Sequence, residues 1–238
     1  MKLVNHIKHN LKRFLYERKN TESILHKKSY SQCGEDLIIK FIFDSLSISL
    51  PTYIDIGAHH PFRISNTALF YELGSKGINI DPDKSLIKKF YSQRPKDINL
   101  NIGIGPEKSN MELFIMSNKT LNTLSKKEAN KYVKEGFEII STENIEVLTI
   151  DEVLKTYNND IFPDLLTLDA EGFDLEILKT IKFKKSFPKV ICVETISFSV
   201  ERKGIKNCEI IDFLTSNGYF LYADTYINSI FIKEEIWI

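Results

Sequence analysis

Tyr53-Ile54-Asp55-Ile56-Gly57-Ala58-His59-His60-Pro61 is a short β-rich run that breaks at an aspartate, a glycine and two histidines. A second such run, Gly77-Ile78-Asn79-Ile80, ends in Asp81-Pro82. Residues 64–73 between them carry apolar side chains at helical spacing, so the pair reads as two parallel strands joined by a crossover helix. In an open α/β sheet, ligands bind beyond the carboxyl ends of the strands where the strand order reverses. Gly57 has no Cβ and lets the backbone turn sharply against a ligand. Asp55 can accept hydrogen bonds from an ammonium group, and Asp81 is suited to both hydroxyls of a ribose. Either aspartate alone could be a turn-former. Together, one βαβ unit apart and with a single glycine in place of GxGxxG, they favour adenosine without a pyrophosphate.

Outward from this pair, residues 98–104, 165–168 and 189–194 read as further parallel strands beside 52–56 and 77–80, with helices over 84–91 and 174–181. Residues 219–223 and 229–232 are also strand-like. Their link, 224–228, is too short for a crossover helix, so these two run antiparallel. The prediction is an α/β fold: a Rossmann-like, mostly parallel seven-stranded sheet with a C-terminal antiparallel strand, whereas a dinucleotide-binding dehydrogenase sheet ends parallel. Residues 106–163 are too many for a plain loop. They hold strand-like 111–116 and 145–150 and helix-like 126–135, and are expected to form an insertion between the third and fourth parallel strands, over the active-site edge. Residues 31–42 begin polar, at Gly34, Glu35 and Asp36, and continue as a helix with an apolar face.

The 238 residues balance 32 Lys and Arg against 32 Asp and Glu, so the chain lacks the strongly basic surface a nucleic-acid partner would call for. The balance is uneven, because residues 1–28 hold eight Lys and Arg against Glu17 and Glu22. Leu3, Val4, Ile7, Leu11, Phe14 and Leu15 recur there at helical spacing, which predicts a basic amphipathic arm over 1–29 ahead of a domain spanning 30–238. The arm could pack on the domain, on a second copy in a homodimer, or on an anionic membrane surface. Cys33, Cys192 and Cys208 are widely spaced and form neither a disulfide framework nor a zinc motif. With no secretory signal and no apolar run of spanning length, the expected location is cytoplasmic, with peripheral contact at the inner face of the membrane.

Further motifs follow in order. Tyr30-Ser31-Gln32-Cys33-Gly34-Glu35-Asp36 precedes the first strand, and Ser65-Asn66-Thr67 follows it. Thr149-Ile150-Asp151, Leu168-Asp169-Ala170-Glu171-Gly172-Phe173-Asp174, Val193-Glu194, Gly218-Tyr219 and Asn228-Ser229-Ile230-Phe231 complete the series. In this series the chain resembles the FkbM family of S-adenosylmethionine-dependent methyltransferases, in the subgroup that opens with Ser-Gln-x-Gly-Glu-Asp. The resemblance implies a class I methyltransferase fold, S-adenosylmethionine as donor, and O-methylation of a sugar in a surface glycan or a related metabolite. It places Gln32 and Glu35 over the cofactor with Gly34 at the turn, where the residues alone show only a helix start. Gly57, Ala58 and Asn66 join Asp55 and Asp81 in the expected cofactor set, and Asn122 and Thr123 are the expected acceptor contacts. Family members often carry Lys two residues before the Asp-x-Glu-Gly aspartate. This chain has Thr167 there, and the role of that Lys is not carried over.

A sulfonium is a good methyl donor, so the protein's task is to position the acceptor oxygen and exclude water. A sugar hydroxyl is a poor nucleophile while protonated and calls for a general base or a metal ion. Asp169, Glu171, Glu194 and His60 or its neighbour His59 all fall at strand ends on the proper edge. Asp169 and Glu171 could instead cap the helix that follows, and His60, ahead of Pro61, could be a turn residue. Asp169 and Glu194 could also bind Mg²⁺ through oxygen ligands. Two other readings compete: a nicotinamide-dependent oxidoreductase, which lacks its pyrophosphate glycines here, and a non-catalytic cofactor-binding module.

Overall fold

Tyr53–Ile56 is buried at every residue and forms β1, an interior strand of a seven-stranded sheet. On one side lie β2 (Gly77–Ile80) and β3 (Ile98–Leu100); on the other lie β7 (Leu165–Leu168) and β8 (Val190–Glu194). β9 (Tyr219–Asp224) and β10 (Asn228–Lys233) complete the order β3-β2-β1-β7-β8-β10-β9. The first five pair parallel, and β10 is antiparallel to both neighbours. The chain walks outward from β1 to β3, then crosses back to β7, so the strand order reverses between the tips of β1 and β7. This is the expected class I architecture. The computed structural model describes residues 28–183, 186–201 and 203–237, and the basic helix expected over 3–16 lies outside them.

Side chains alternate across the sheet, as pleating requires. Ile54 and Ile56 pack with α5 (Ile150–Tyr157), α6 (Asp174–Thr180) and α7 (Cys208–Ser216) through Val153, Ile177 and Leu214. Tyr53 faces the other layer, α1 (Glu35–Ser45), α2 (Ala68–Leu73) and α3 (Lys84–Gln93), through Ile39, Phe43, Phe70 and the Arg94 stack described below. In α1 the apolar residues at helical spacing, Ile39, Ile42 and Phe43, are the buried ones. Asp36 at its start accepts from Ser29 Oγ, Tyr30 N–H and Ser31 Oγ, which ties the leading segment to the domain.

That second face carries a row of polar residues where a parallel sheet is usually apolar. Asn99, Asn79, Asp55 and Thr167 stand in register across β3, β2, β1 and β7. Their partners come from the layer above. Arg94 is wholly buried. Its Nε donates to Asp97 Oδ2 at 2.9 Å, one Nη to Tyr53 Oη at 2.7 Å, and the other to Thr67 Oγ1 at 3.0 Å. Thr67 Oγ1 in turn donates to Asp55 Oδ2 at 2.6 Å. Asp97 also accepts from Tyr53 Oη, Gly77 N–H and Asn79 Nδ2. The guanidinium lies 5.1–5.4 Å from the ring centres of Tyr53, Tyr71 and Phe90, so its faces as well as its edges are occupied.

Residues 103–148 build a second, three-stranded sheet of order β4-β6-β5. It joins β4 (Gly103–Ile104), β5 (Ser109–Met116) and β6 (Ile139–Leu148), with α4 (Lys126–Lys134) and a 3₁₀ turn at Lys119–Leu121 beside it. Three expectations change. The strand expected over 98–104 is broken, because Asn101 Nδ2 bonds the carbonyls of Asp81 and Pro82 and sends β4 to β6. The strand expected over 145–150 stops at Leu148, where Thr149 and Glu152 form a reciprocal capping box that starts α5. The helix expected over 64–73 begins only at Ala68, because Ile64 has φ 52° and Ser65 N–H bonds Tyr30 O.

Arg94→Met removes the cation while leaving Asp97 enclosed, and breaking a buried pair in this way costs about 3–5 kcal/mol. Urea unfolding of the variant should show that loss, with the slope of the transition unchanged.

Candidate functional site

At the tip of β1 the chain bends through Gly57, at φ 77°. A Cβ there would lie 1.9 Å from the Asp169 carbonyl oxygen, so only glycine lets the β1 and β7 tips approach this closely. Gly57 N–H and Ala58 N–H both bond Ile80 O, which draws the bend toward β2. Asp81 closes the same corner, accepting from His59 N–H at 2.9 Å and Asp83 N–H at 2.8 Å. Burial pushes its carboxyl up to about 7 against those hydrogen bonds, with the Asp83 and Asp55 charges adding to the rise.

These tips open on a cavity of about 630 Å³. Gln32, Gly57, Asp81, Asn122, Thr123, Asp169, Glu171 and Glu194 all reach its wall, so most of the expected polar set converges. At the Asp81 end the wall is apolar, with Pro82, Leu86 and Ile102 among its members. At the other end Asp169, Glu171 and Glu194 present carboxylate oxygens within 4.8 Å of one another. Asp169 is open to the cavity yet ringed by protein. Burial pushes it up to about 7, aided by the charges of Asp174 and Asp55. Glu171 and Glu194 are raised well above the usual carboxylate range, by burial first and then by the Asp169 charge beside each. Like charges this close cannot all ionise, so the cluster holds protons at neutral pH.

The Asp169–Asp174 turn is held in place from both sides. Asp174 accepts from Ala170 N–H and Gly172 N–H, and Glu171 is at φ 45°, a left-handed conformation uncommon for a non-glycine residue. From the three-stranded side, Thr123 Oγ1 donates to Glu171 O at 2.8 Å, and the Tyr132 hydroxyl donates to Glu171 Oε2. Tyr132 extends from α4 and was not legible as a site residue, since its position on that helix reads only as part of an apolar face. Asn122 is fixed by Met116 N–H and by Asp83 Oδ2, at 3.0 Å.

Other expected residues sit elsewhere. Asp55 lies behind the tip, bonded to Thr67, and burial raises it to about 6. It does not reach the cavity wall, and the contact with an ammonium expected of it is not what its side chain faces. Ala58 packs on Ile87 and Phe90. Asn66 Nδ2 donates to Thr167 Oγ1 at 3.1 Å, below the tips. Gly34 is the left-handed residue before α1. Glu35 is buried and accepts from Thr225 Oγ1, Asn228 Nδ2 and Cys33 N–H. Although burial alone would raise its pKa, those donors hold it below the usual value. It clamps the opening segment to the β9–β10 link rather than reaching over the cavity. His60 Nδ1 accepts from Phe62 N–H, the turn role weighed above, while His59 reaches the cavity. Burial lowers the pKa of both histidines, and the charges of Lys89 and Arg63 add to it.

Comparisons with known proteins bear on this geometry. No curated protein sequence is significantly similar to the chain. Among solved structures it is similar to PH1948 from Pyrococcus horikoshii, provisionally described as an RNA methyltransferase, at 13 % identity over 87 % of each chain with a TM-score of 0.39. The family model described as the methyltransferase FkbM domain matches residues 55–221, a span that runs from Asp55 through the Gly57 bend, Asp81 and all three clustered carboxylates to β9. The chain therefore belongs to the FkbM methyltransferase family.

Proposed function

We propose that this protein transfers the methyl group of S-adenosylmethionine to a hydroxyl, as an O-methyltransferase acting on a sugar of a surface glycan or a related metabolite. The observation that carries the reading is one cavity with two unlike ends. Asp81 and an apolar wall sit at one end and a proton-holding carboxylate cluster at the other, with the Gly57 bend against Asp169 between them. S-adenosylmethionine, when bound, supplies an electrophilic methyl on its sulfonium. Asp81 would hold its ribose hydroxyls, the Gly57 bend would admit the part between ribose and sulfur, and Pro82, Leu86 and Ile102, which share the wall with Asp81, would flank the purine. The family match favours this over nicotinamide chemistry, and a non-catalytic module would have no use for carboxylates held at such cost.

As the oxygen–methyl bond forms, the carbon–sulfur electron pair stays with sulfur and the hydroxyl proton must leave. Asp169 Oδ is the proposed acceptor of that proton, being open to the cavity and poised near neutrality. Glu171 and Glu194 hold protons of their own beside it, with Tyr132 fixing Glu171, while burial and the charges of Asp174 and Asp55 keep the Asp169 proton affinity high. Asn122 and Thr123 line the wall where an acceptor sugar would lie. A second reading rests on the same 4.8 Å cluster: its oxygens suit a hard divalent cation such as Mg²⁺, held by Asp169 and Glu194, which would neutralise the repulsion and acidify the hydroxyl.

Asp169→Asn should lower turnover by roughly 10²–10⁴-fold while leaving S-adenosylmethionine affinity, read by calorimetry, largely intact. Unchanged turnover would remove Asp169 from the chemistry. The raised carboxyls also oppose folding. Between about pH 4, where an unfolded carboxyl titrates, and pH 7, the folded chain holds more protons than the unfolded one, so stability falls as pH rises through that window. Asp169→Asn should accordingly melt higher than the wild type at pH 8, by scanning calorimetry.

Turnover of the wild type should climb as pH rises past about 7 and then level, as Asp169 loses its proton. Tyr132→Phe deletes a hydrogen bond that lowers the Glu171 pKa, so Glu171 should hold its proton to higher pH in the variant, read by carboxyl NMR, while the acid limb of the pH–rate profile, set by Asp169, should not rise. Dialysis against a chelator separates the two readings of the cluster. Full turnover afterwards supports proton transfer to Asp169 alone, and loss restored by Mg²⁺ supports the cation.

A further inference from the structure

One aromatic residue on the cavity wall is held in a strained backbone conformation. Tyr226 is 54 % exposed and has φ 75°, a left-handed value that is an outlier for so bulky a side chain. The link between β9 and β10 is braced to keep it there. Tyr226 N–H donates to Asp224 Oδ1 at 2.7 Å, and Lys206 Nζ donates both to that oxygen, at 2.8 Å, and to Tyr226 O, at 3.1 Å. Thr225 N–H bonds Asn228 O at 2.9 Å, and Thr225 Oγ1 donates to the buried Glu35 at 2.7 Å. A glycine would take the same turn without strain, and a ring this exposed gains little from burial. Strain upheld from several sides, at a side chain on a cavity wall, points to what that side chain meets in the cavity.

The fold decides which end of the cavity Tyr226 serves. Asn228 stands opposite Glu194 in the β10–β8 register, and Thr195 N–H bonds Ile227 O at 3.0 Å, so the link sits beside the carboxylate cluster, with β1, β7 and β8 between it and the Asp81 end. The 196–206 segment completes this end and brings Ser197, Phe198 and Ser199 to the wall. Phe198 is fixed there by edge contacts with Tyr132 and Phe137. Carboxyls and hydroxyls beside aromatic rings suit a ligand that is hydroxylated at its edge and apolar on its faces, as a pyranose is. Charge narrows the class further. Lys119 is the one Lys or Arg among the described lining residues and pairs with Asp83, and burial disfavours a charge on His59, so no cation there is left to receive a phosphate or carboxylate. Tyr226 also lies past the 55–221 span of the family match, which gives it no role. We infer that Tyr226 is a specificity-determining residue, its ring packing on the face of an uncharged pyranose acceptor and so turning a hydroxyl toward Asp169.

This role rests on the proposed methyl transfer, which places an acceptor at that end of the cavity. Saturation-transfer NMR of the full chain, with and without S-adenosylhomocysteine, tests it with methyl β-D-glucopyranoside, methyl β-D-galactopyranoside and methyl α-D-mannopyranoside. At least one of the three should receive saturation through its ring C–H protons, and the anionic methyl β-D-glucuronide should not. Tyr226→Phe keeps the ring and should bind that glycoside as the wild type does. Tyr226→Gly, which this backbone accepts without strain, should weaken the binding by roughly tenfold. Calorimetry with S-adenosylmethionine on the same proteins should show an unchanged affinity, which also reports an intact fold. The role of Tyr226 is overturned if the wild type binds none of the three glycosides, or binds the glucuronide as tightly. It is equally overturned if Tyr226→Gly keeps full affinity, or if Tyr226→Phe loses as much as Tyr226→Gly. A wild type that shows the expected glycoside pattern but does not bind S-adenosylmethionine would instead sink methyl transfer and leave the pyranose site in place.

Discussion

A buried cation governs how this sheet is assembled. Arg94 enters from the end of α3 and meets Asp97, Tyr53, Thr67 and, through Thr67, Asp55. Each partner belongs to a different piece of the chain, so one guanidinium sets the spacing of β1, the residues before α2 and the approach to β3. An ion in such surroundings is tolerable only when every lone pair and proton around it is matched. That demand explains the row of Asn99, Asn79, Asp55 and Thr167 across strands that would otherwise be wholly apolar. Thr167, at the end of that row, accepts from Asn66 Nδ2.

One layer above, the logic inverts. The tips of β1 and β7 gather carboxyl groups with few cations among them, whereas the layer beneath sets its carboxylates around Arg94. Glu171 shows how firmly it is enforced. A left-handed backbone, Asp174 on the turn amides, Thr123 on its carbonyl and Tyr132 on its carboxylate together leave that side chain little choice of position. Such over-determination of a strained residue is usual where a protein keeps groups ready for chemistry.

Much of this was legible in the residues. The glycine bend and the terminal Asp81 followed from strand patterns and turn chemistry, and the 219–233 hairpin followed from a link too short to cross the sheet. The Asp-x-Glu-Gly run and Glu194 could be placed on one edge because parallel strands deliver their ends together. What failed was whatever depends on side-chain direction. Asp55 lies within β1, where the pleat turns its side chain into the polar layer, while Gly57, two residues on, is past the strand end and meets the cavity through its bend. Glu35 looks like a helix-start acid in sequence, and only the fold reveals that its partners are Thr225 and Asn228, some 190 residues away. Tyr132 and the 196–206 segment were missed for the same reason, since an aromatic on an amphipathic helix and a short irregular link carry no local mark of what they face.

The placement of β10 between β8 and β9 bears on how the polypeptide reaches this state. Of the described strands the latest in sequence is an interior one, and the two contacts of Glu35 wait on the same few residues. A nascent chain halted near residue 210 would therefore expose a long apolar strand flank along β8 with nothing to pair it, together with a loose leading segment. Non-local closure of this sort is slow and prone to intermolecular pairing. Arrival of residues 219–233 is thus the step that closes the sheet, and the interval before it is the one most open to mispairing.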